Sequence, residues 1–358
     1  MLKLQPHHES GDTARDASRR AGMDRDTREV TPPMNAPAHE PVLVAEVVRL
    51  LAVQDGPAIV VDATIGMGGH AAALLAASAD DVTLVGFDRD PDALELAGRR
   101  LAAFRSRVHL VHAPYDALTD HVAPLVDDHG PVRAVLYDLG VSSLQLDRAA
   151  RGFSFRHDAP LDMRMDPTTG RTAADIVNGA SVDELRDLLR DLGEERHAGR
   201  IARAIVAGRP LHTTVALADL VSDAVPSAAR RGPRHPATRT FQALRIAVND
   251  ELDRFRASLP QALELAAPAT PSDGGRVAVL SYHSLEDRIA KRTFADAMTA
   301  CVCPPDLPVC GCGRRAWARA LTRGVVRPDD AEVARNPRAR SARLRAVQMI
   351  APDPWEDE

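Results

Sequence analysis

Short apolar runs separated by stretches of helical spacing set the pattern of this chain. Ala58-Ile59-Val60-Val61, Val82 to Phe87, Val108 to His112, Val132 to Tyr137 and Gly275 to Ser281 are dominated by aliphatic residues. Such runs suit strands covered on both faces. Between them lie helix formers. Ala71 to Ala76 is Ala/Leu-rich, and Asp90-Pro91-Asp92 opens a helix running to about Phe104, with proline and acids in its first turn. Ser284-Leu285-Glu286-Asp287 opens another through Phe294, with Ser284 as its N-cap and a capping role also open for His283. Strands alternating with helices predict an α/β fold, a Rossmann-like and mostly parallel sheet with its ligand at the C-terminal strand ends.

The rhythm breaks from about Ser143 to Thr240. Ser181 with Glu184 three residues later reads as a capping box leading into Leu185, Leu188-Leu189 and Leu192. Glu194 to Ala207 carries Ile201 and Ile205 on one face and Arg200 and Arg203 on another. This is the pattern of an inserted all-helical domain. Thr240 to Leu252, with Phe241, Leu244, Val248 and Leu252 at helical spacing, returns the chain to the sheet domain as a core helix. The resulting division is a polar leader at 1–38 read as disordered, a first part of the sheet domain at 39–142, the insertion at 143–239, a second part at 240–350 and an acidic terminus at 351–358.

Composition changes the picture in three places. The chain has 358 residues, 45% of them hydrophobic and 3% aromatic, enough for more than one core. No apolar run approaches spanning length and the start lacks a signal-peptide core, so a cytoplasmic location without membrane contact is expected. The net charge of −5 hides a local asymmetry: nine arginines against two acids from Arg196 to Arg245, and ten against three from Gly313 to Arg345. Such excesses are the footprint of a polyanion partner, or simply the consequence of an Ala/Arg-rich composition. All four cysteines fall in Cys301-Val302-Cys303 and Cys310-Gly311-Cys312. They could supply four thiolates to zinc or an iron–sulfur cluster, but the spacing is tighter than usual. Reduced thiols in a Pro-braced turn are the alternative, and no metal ligand is assigned.

The candidate chemistry sits where strand meets glycine. Val61-Asp62-Ala63-Thr64-Ile65-Gly66-Met67-Gly68-Gly69-His70 is a strand running into a glycine-rich turn before a helix. This geometry lets backbone approach a nucleotide-type cofactor closely. Asp88, about twenty residues on at the end of the second strand, suits the ribose hydroxyls of an adenosine moiety. Gly66-x-Gly68-x-x-Ala71 also satisfies the dinucleotide fingerprint, which leaves a nicotinamide enzyme open on the loop alone. Asp138 ends the fourth strand facing the loop across the switch point, in Asp138-Leu139-Gly140-Val141-Ser142-Ser143.

Nine segments in order carry a resemblance. They include His39-Glu40-Pro41-Val42-Leu43, the glycine turn, Phe87-Asp88-Arg89-Asp90-Pro91, and Asp138 through Asp147. Arg151-Gly152-Phe153-Ser154-Phe155, Leu161 through Asp166, Phe241 through Ile246, Ser281 through Arg288, and Asn336 through Ser341 complete the set. From His39 to Met349 the chain resembles the bacterial 16S rRNA (cytosine-N4)-methyltransferase (MraW-like) family. The resemblance implies a class I methyltransferase fold and S-adenosylmethionine as cofactor. It also implies methylation of the N4 amine of a decoding-centre cytidine, position 1402, in 16S rRNA within the small ribosomal subunit, and it leaves room for a homodimer. By that analogy Gly68, Gly69 and His70 contact the cofactor, Asp88 holds its ribose, Tyr115 packs by its adenine, and Asp138 and Gln145 complete the pocket. The family more often has Phe at the Tyr115 position and Pro at the Leu144 position.

An exocyclic amine is a weak nucleophile whose lone pair is delocalised into its ring, and acceptors at its N–H bonds help localise it. Asp138 could do this, or could hold the cofactor; the sequence leaves both open. A dehydrogenase would need a hydride-transfer acid/base constellation, and none is found. A non-catalytic RNA-binding protein on the same fold would not need Gly68, Gly69, Asp88 and Asp138 together. Transfer to C5 of cytosine would need a cysteine near the fourth strand, and none lies there. Phe153 and Phe155, beside Arg151, Arg156 and Arg164, are read as core, with base stacking as the alternative.

Overall fold

The computed structural model describes residues 41–232, 235–268, 274–304 and 309–351. The leader at 1–38 and residues 352–358 lie outside them. Five strands run parallel, β1 (Ala58–Asp62), β2 (Val82–Asp88), β3 (Val108–His112), β4 (Val132–Asp138) and β5 (Arg276–Ser281). Two more, β6 (Ala318–Ala320) and β7 (Arg343–Met349), join antiparallel to give the order β3-β2-β1-β4-β5-β7-β6. The order reverses between β1 and β4, and there a doubly wound sheet opens a crevice at its C-terminal ends.

Each face of the sheet has its own core because successive side chains alternate. Ile59, Val61, Val135, Tyr137, Val277 and Val279 point to one side, where they meet Leu252, Phe255, Leu259, Ile289 and Phe294. Ala58, Val60, Leu84, Leu136 and Leu280 point to the other, against Val47, Leu50, Leu74 and Leu75. The covering helices include α1 (Val44–Leu51), α2 (Gly69–Ala77) and α3 (Pro91–Arg100). The insertion supplies α4 (Ala173–Gly179), α5 (Val182–Gly193), α6 (Ala198–Ala207) and α7 (Thr214–Ala224). Then follow α8 (Thr238–Asn249), α9 (Glu251–Leu265) and α10 (Ser284–Ala297). No helix among the described residues is long and apolar enough to cross a membrane.

Several expectations need correcting. The helix expected over Thr240 to Leu252 is two helices, broken at Asp250, which adopts a left-handed conformation (φ 52°). Phe241, Ala243 and Leu244 of α8 pack with Ile176, Leu189 and Ile201 in the helical core, so that core extends past residue 239. The helix expected to reach Phe104 ends at Arg100 and passes into a 3-10 segment. Glu194 does not begin a helix; it terminates α5 in a left-handed conformation (φ 48°). The cap of α10 is His283 rather than Ser284: its ring accepts from the Glu286 N–H while the Glu286 carboxylate accepts from the His283 N–H. A histidine can close that box because its ring nitrogen is an acceptor when neutral. The basic tail is partly a strand, and Arg343 and Arg345 on β7 pair with Asp287 at 3.3 and 2.7 Å.

Candidate active site

The cavity at the switch point has a volume of about 350 Å³, within the range of small-molecule sites. One wall is made by the ends of three adjacent strands. Asp62, Asp88 and Asp138 are the last residues of β1, β2 and β4; Asp88 and Asp138 line the cavity, whereas Asp62 is buried beside the lining residues Ala63 and Thr64. The loop after β1 fits here for steric reasons. A side chain at Gly86 of β2 would collide with Ile65, its Cβ lying 2.2 Å from Ile65 Cδ1, so glycine lets the loop lie flat on the strand. Gly66 (φ 51°) and Gly68 (φ 74°) take left-handed conformations that other residues adopt at a cost.

The predicted residues gather here with one exception. Gly69, His70, Asp88, Tyr115, Asp138 and Gln145 all line the cavity. Gly68 does not; it caps α2 and packs toward Ala97 and Leu101, so its glycine serves the turn. Asp88 accepts from the Gly66 N–H at 3.0 Å and from the Asp90 N–H at 2.8 Å. Gln145 closes a capping box with Ser142 and donates to the buried Asp90 carboxylate at 3.2 Å. Asp90 also meets Arg151 at 3.0 Å, and Arg151 donates to the carbonyls of Arg164 and Met165. That chain of bonds ties the sheet domain to the loop leading into the insertion. The Tyr115 hydroxyl donates to the Glu251 carbonyl at 3.1 Å, and its ring stands edge-on to Tyr137.

Asp138 is held from three directions. Its N–H donates to Thr64 Oγ1 at 2.6 Å, its Oδ1 accepts from the Tyr282 hydroxyl at 2.7 Å, and its Oδ2 lies 3.3 Å from His70 Nδ1. The other ring nitrogen of His70 is 2.9 Å from the Val42 carbonyl, which only accepts, so Nε2 carries a proton. Burial works against a charged His70, but the hydrogen bond to Asp138 and the charges of Asp138 and Asp62 raise its pKa above the ordinary value. Asp62, 1% exposed, is pushed up to about 7 by burial, partly offset by His70 and the Thr64 N–H. Burial likewise pushes Asp88 up to about 6, against the pull of the Asp90 and Gly66 N–H groups.

The lining also includes Arg245, Glu251, Tyr282 and Glu286, to none of which the sequence reading gave a role in the site. Arg245 grips Glu251 through two bonds of 2.8 Å. Glu286, 2% exposed, accepts from the N–H groups of Tyr282 and His283. Burial opposes its charge, yet His283 and Arg245 prevail and hold its carboxyl below the usual range. The only advance signal was the cluster of acid, histidine and tyrosine in Tyr282-His283-Ser284-Leu285-Glu286. Phe153, 9% exposed, belongs to the helical core. Phe155 is partly buried against Phe241 and His235.

Comparison with known proteins is decisive. A model of the MraW methylase family matches residues 36–350. The chain is 54% identical over 317 residues to ribosomal RNA small subunit methyltransferase H of Saccharopolyspora erythraea, covering 87% of this chain and 93% of the relative. The protein of the same name from Syntrophotalea carbinolica is 51% identical over 315 residues, covering 87% and 98%. The one from Thermobifida fusca is 53% identical over 318 residues, covering 87% and 94%. The family model over residues 36–350, with identity near one residue in two over 87% of the chain, makes this chain a member of the MraW methylase family.

Proposed function

We propose that this chain transfers a methyl group from S-adenosylmethionine to the N4 amine of a decoding-centre cytidine, position 1402, of 16S rRNA. The observation that carries the reading is the convergence on one cavity of Asp88 and Asp138, from the ends of β2 and β4, with the glycine turn that follows β1, in a chain of this family. The cavity suits the cofactor chemically. Asp88 offers an acceptor for vicinal hydroxyls, and Ala113, Pro114 and Tyr115 give a flat, mainly apolar side. The Asp88 carboxyl, raised in the free chain, ionises more readily beside a positive charge. When bound, the cofactor supplies an electrophilic methyl group.

The protein's part is then positioning and charge. Asp138, fixed by Thr64, Tyr282 and His70, accepts a hydrogen bond from the amine and so draws its lone pair toward the methyl carbon. No cysteine lines the cavity, which agrees with transfer to an exocyclic nitrogen rather than to C5. Arg200 and Arg203, exposed on α6, are assigned to the phosphate backbone, as phosphate contacts orient a nucleic acid.

The test is incubation with methyl-labelled S-adenosylmethionine and small subunits lacking the modification, followed by mass spectrometry of the nucleosides. N4-methylcytidine should form, and Asp138→Ala should lower its rate by about 10²–10³-fold, the usual loss for a preorganised polar group. Cofactor binding with no methylated cytidine would sink the substrate assignment.

A further inference from the structure

The four cysteines take no part in the cavity, yet the fold gathers them. They lie on the excursion between α10 and β6, two before residues 305–308 and two after. Cys301 and Cys310 have sulfurs 3.5 Å apart, Cys310 and Cys312 3.4 Å, Cys301 and Cys312 3.8 Å, and Cys303 and Cys310 3.9 Å. All four Sγ atoms lie within 4.8 Å of one another, and none is in a disulfide.

Burial does not account for this convergence. Cys301, Cys310 and Cys312 are exposed and Cys303 is half-buried. The neighbouring apolar side chains Val302 and Val309 are 59% and 76% exposed, so among the described residues no apolar core gathers the thiols. The foot of the excursion is secured separately. Arg314 donates to the carbonyls of Thr299 and Asp296 and pairs with the Asp296 carboxylate, while the Trp317 N–H donates to the Ala297 carbonyl.

The distances select among the chemistries four thiols allow. Four sulfurs at about 2.3 Å from one tetrahedral zinc ion stand about 3.8 Å from each other, and the observed separations bracket that value. An iron–sulfur cluster distributes its cysteines over different iron atoms and needs a wider cage. Two disulfides would draw sulfurs to about 2.05 Å in separate pairs, whereas Cys310 here is near all three others.

We propose that Cys301, Cys303, Cys310 and Cys312 form a mononuclear tetrathiolate zinc site that closes the tip of the α10–β6 excursion. Binding is a ligand exchange without redox change: four thiols lose their protons to solvent and four zinc–sulfur bonds replace zinc–water bonds. The site is closed, with no position left for substrate, so its role is structural. It does not depend on the methyl-transfer reading.

The test uses the full chain, purified under reducing conditions without chelator. Elemental analysis should find about one zinc per chain. Cobalt(II) added to the metal-stripped protein should give the strong visible bands and sulfur-to-metal charge transfer of a tetrahedral tetrathiolate. Cys303→Ser and the pair Cys310→Ser with Cys312→Ser should weaken zinc binding by more than about 100-fold. Circular dichroism of the same variants separates ligand loss from unfolding, and the cobalt spectrum of the unmutated chain stands independently of them. Absence of zinc after reconstitution, an octahedral cobalt spectrum, iron with acid-labile sulfide, or a disulfide trapped by alkylation of fresh protein would each overturn the proposal. So would full zinc affinity in the folded double variant.

Discussion

At the strand ends burial outweighs the available donors, and Asp62, next to the lining residue Ala63, and Asp88, in the lining, stand at about 7 and about 6. Around Arg245, Glu251 and Glu286 in the same lining the balance runs the other way: Arg245 meets Glu251 at 2.8 Å, and Glu286 is held low despite its burial by His283 and Arg245. The difference separates two tasks. A carboxyl kept partly protonated for want of compensating charge gains when a cationic or hydroxyl-bearing ligand arrives. A carboxylate already matched by a fixed cation gains little and keeps its neighbours in place. The first wall is built to receive and the second to hold.

Three substitutions or conditions sharpen that contrast. The largest effect is expected from Arg245→Ala, which strands the buried Glu251 beside Glu286. Urea unfolding should show a loss of about 3–5 kcal/mol, and an unchanged midpoint would mean that the holding wall holds nothing. Asp88→Asn should leave the fold intact but weaken cofactor binding by about 1.5–3 kcal/mol, the worth of hydrogen bonds to a charged acceptor. Isothermal titration would read it, and equal affinity would remove Asp88 from the receiving role.

The smallest effect is in pH. Asp62 and Asp88 are raised from an ordinary value of 3.8, so near neutrality the folded chain binds more protons than the unfolded one. Their ionised forms cost stability above the folded values, and that cost is relieved as pH falls. His70, also raised, contributes in the same direction, its stabilisation being lost as pH rises. The free chain should therefore gain about 1–2 kcal/mol between pH 8 and pH 6. Glu286, lowered from 4.5, costs stability only in more acidic solution. Asp62→Asn should flatten most of the slope, and a slope of opposite sign would contradict the picture of an uncompensated wall.

The receiving wall was legible in the sequence because each of its residues follows a strand within a few positions. Asp62, Gly66, Gly69 and His70 lie in one decapeptide, and Asp88 and Asp138 are marked by the apolar runs they end. Even so, Asp62 was passed over, since its burial depends on what β4 and α2 place around it. The holding wall was not legible. Arg245 and Glu251 face each other only because Asp250 reverses the backbone into a left-handed turn, and local helical spacing ran straight through that position. The antiparallel strand β7 was hidden by its arginines. Arg343 and Arg345 suggested a polyanion grip, yet they alternate with the buried Leu344 and Ala346 and answer Asp287 on α10.

The place of β7 has a consequence for how the chain is made. Residues 343–349 lie between β5 and β6, hydrogen-bonded to both, so β5 has an open edge until they arrive. A ribosome releasing this chain from its N-terminus completes β5 more than sixty residues before β7. During that interval the unpaired N–H and C=O groups of an apolar strand are available to any other extended chain. The nascent protein must therefore protect that edge until its closing strand emerges, and a product cut short before residue 343 would retain the exposed edge for as long as it persists.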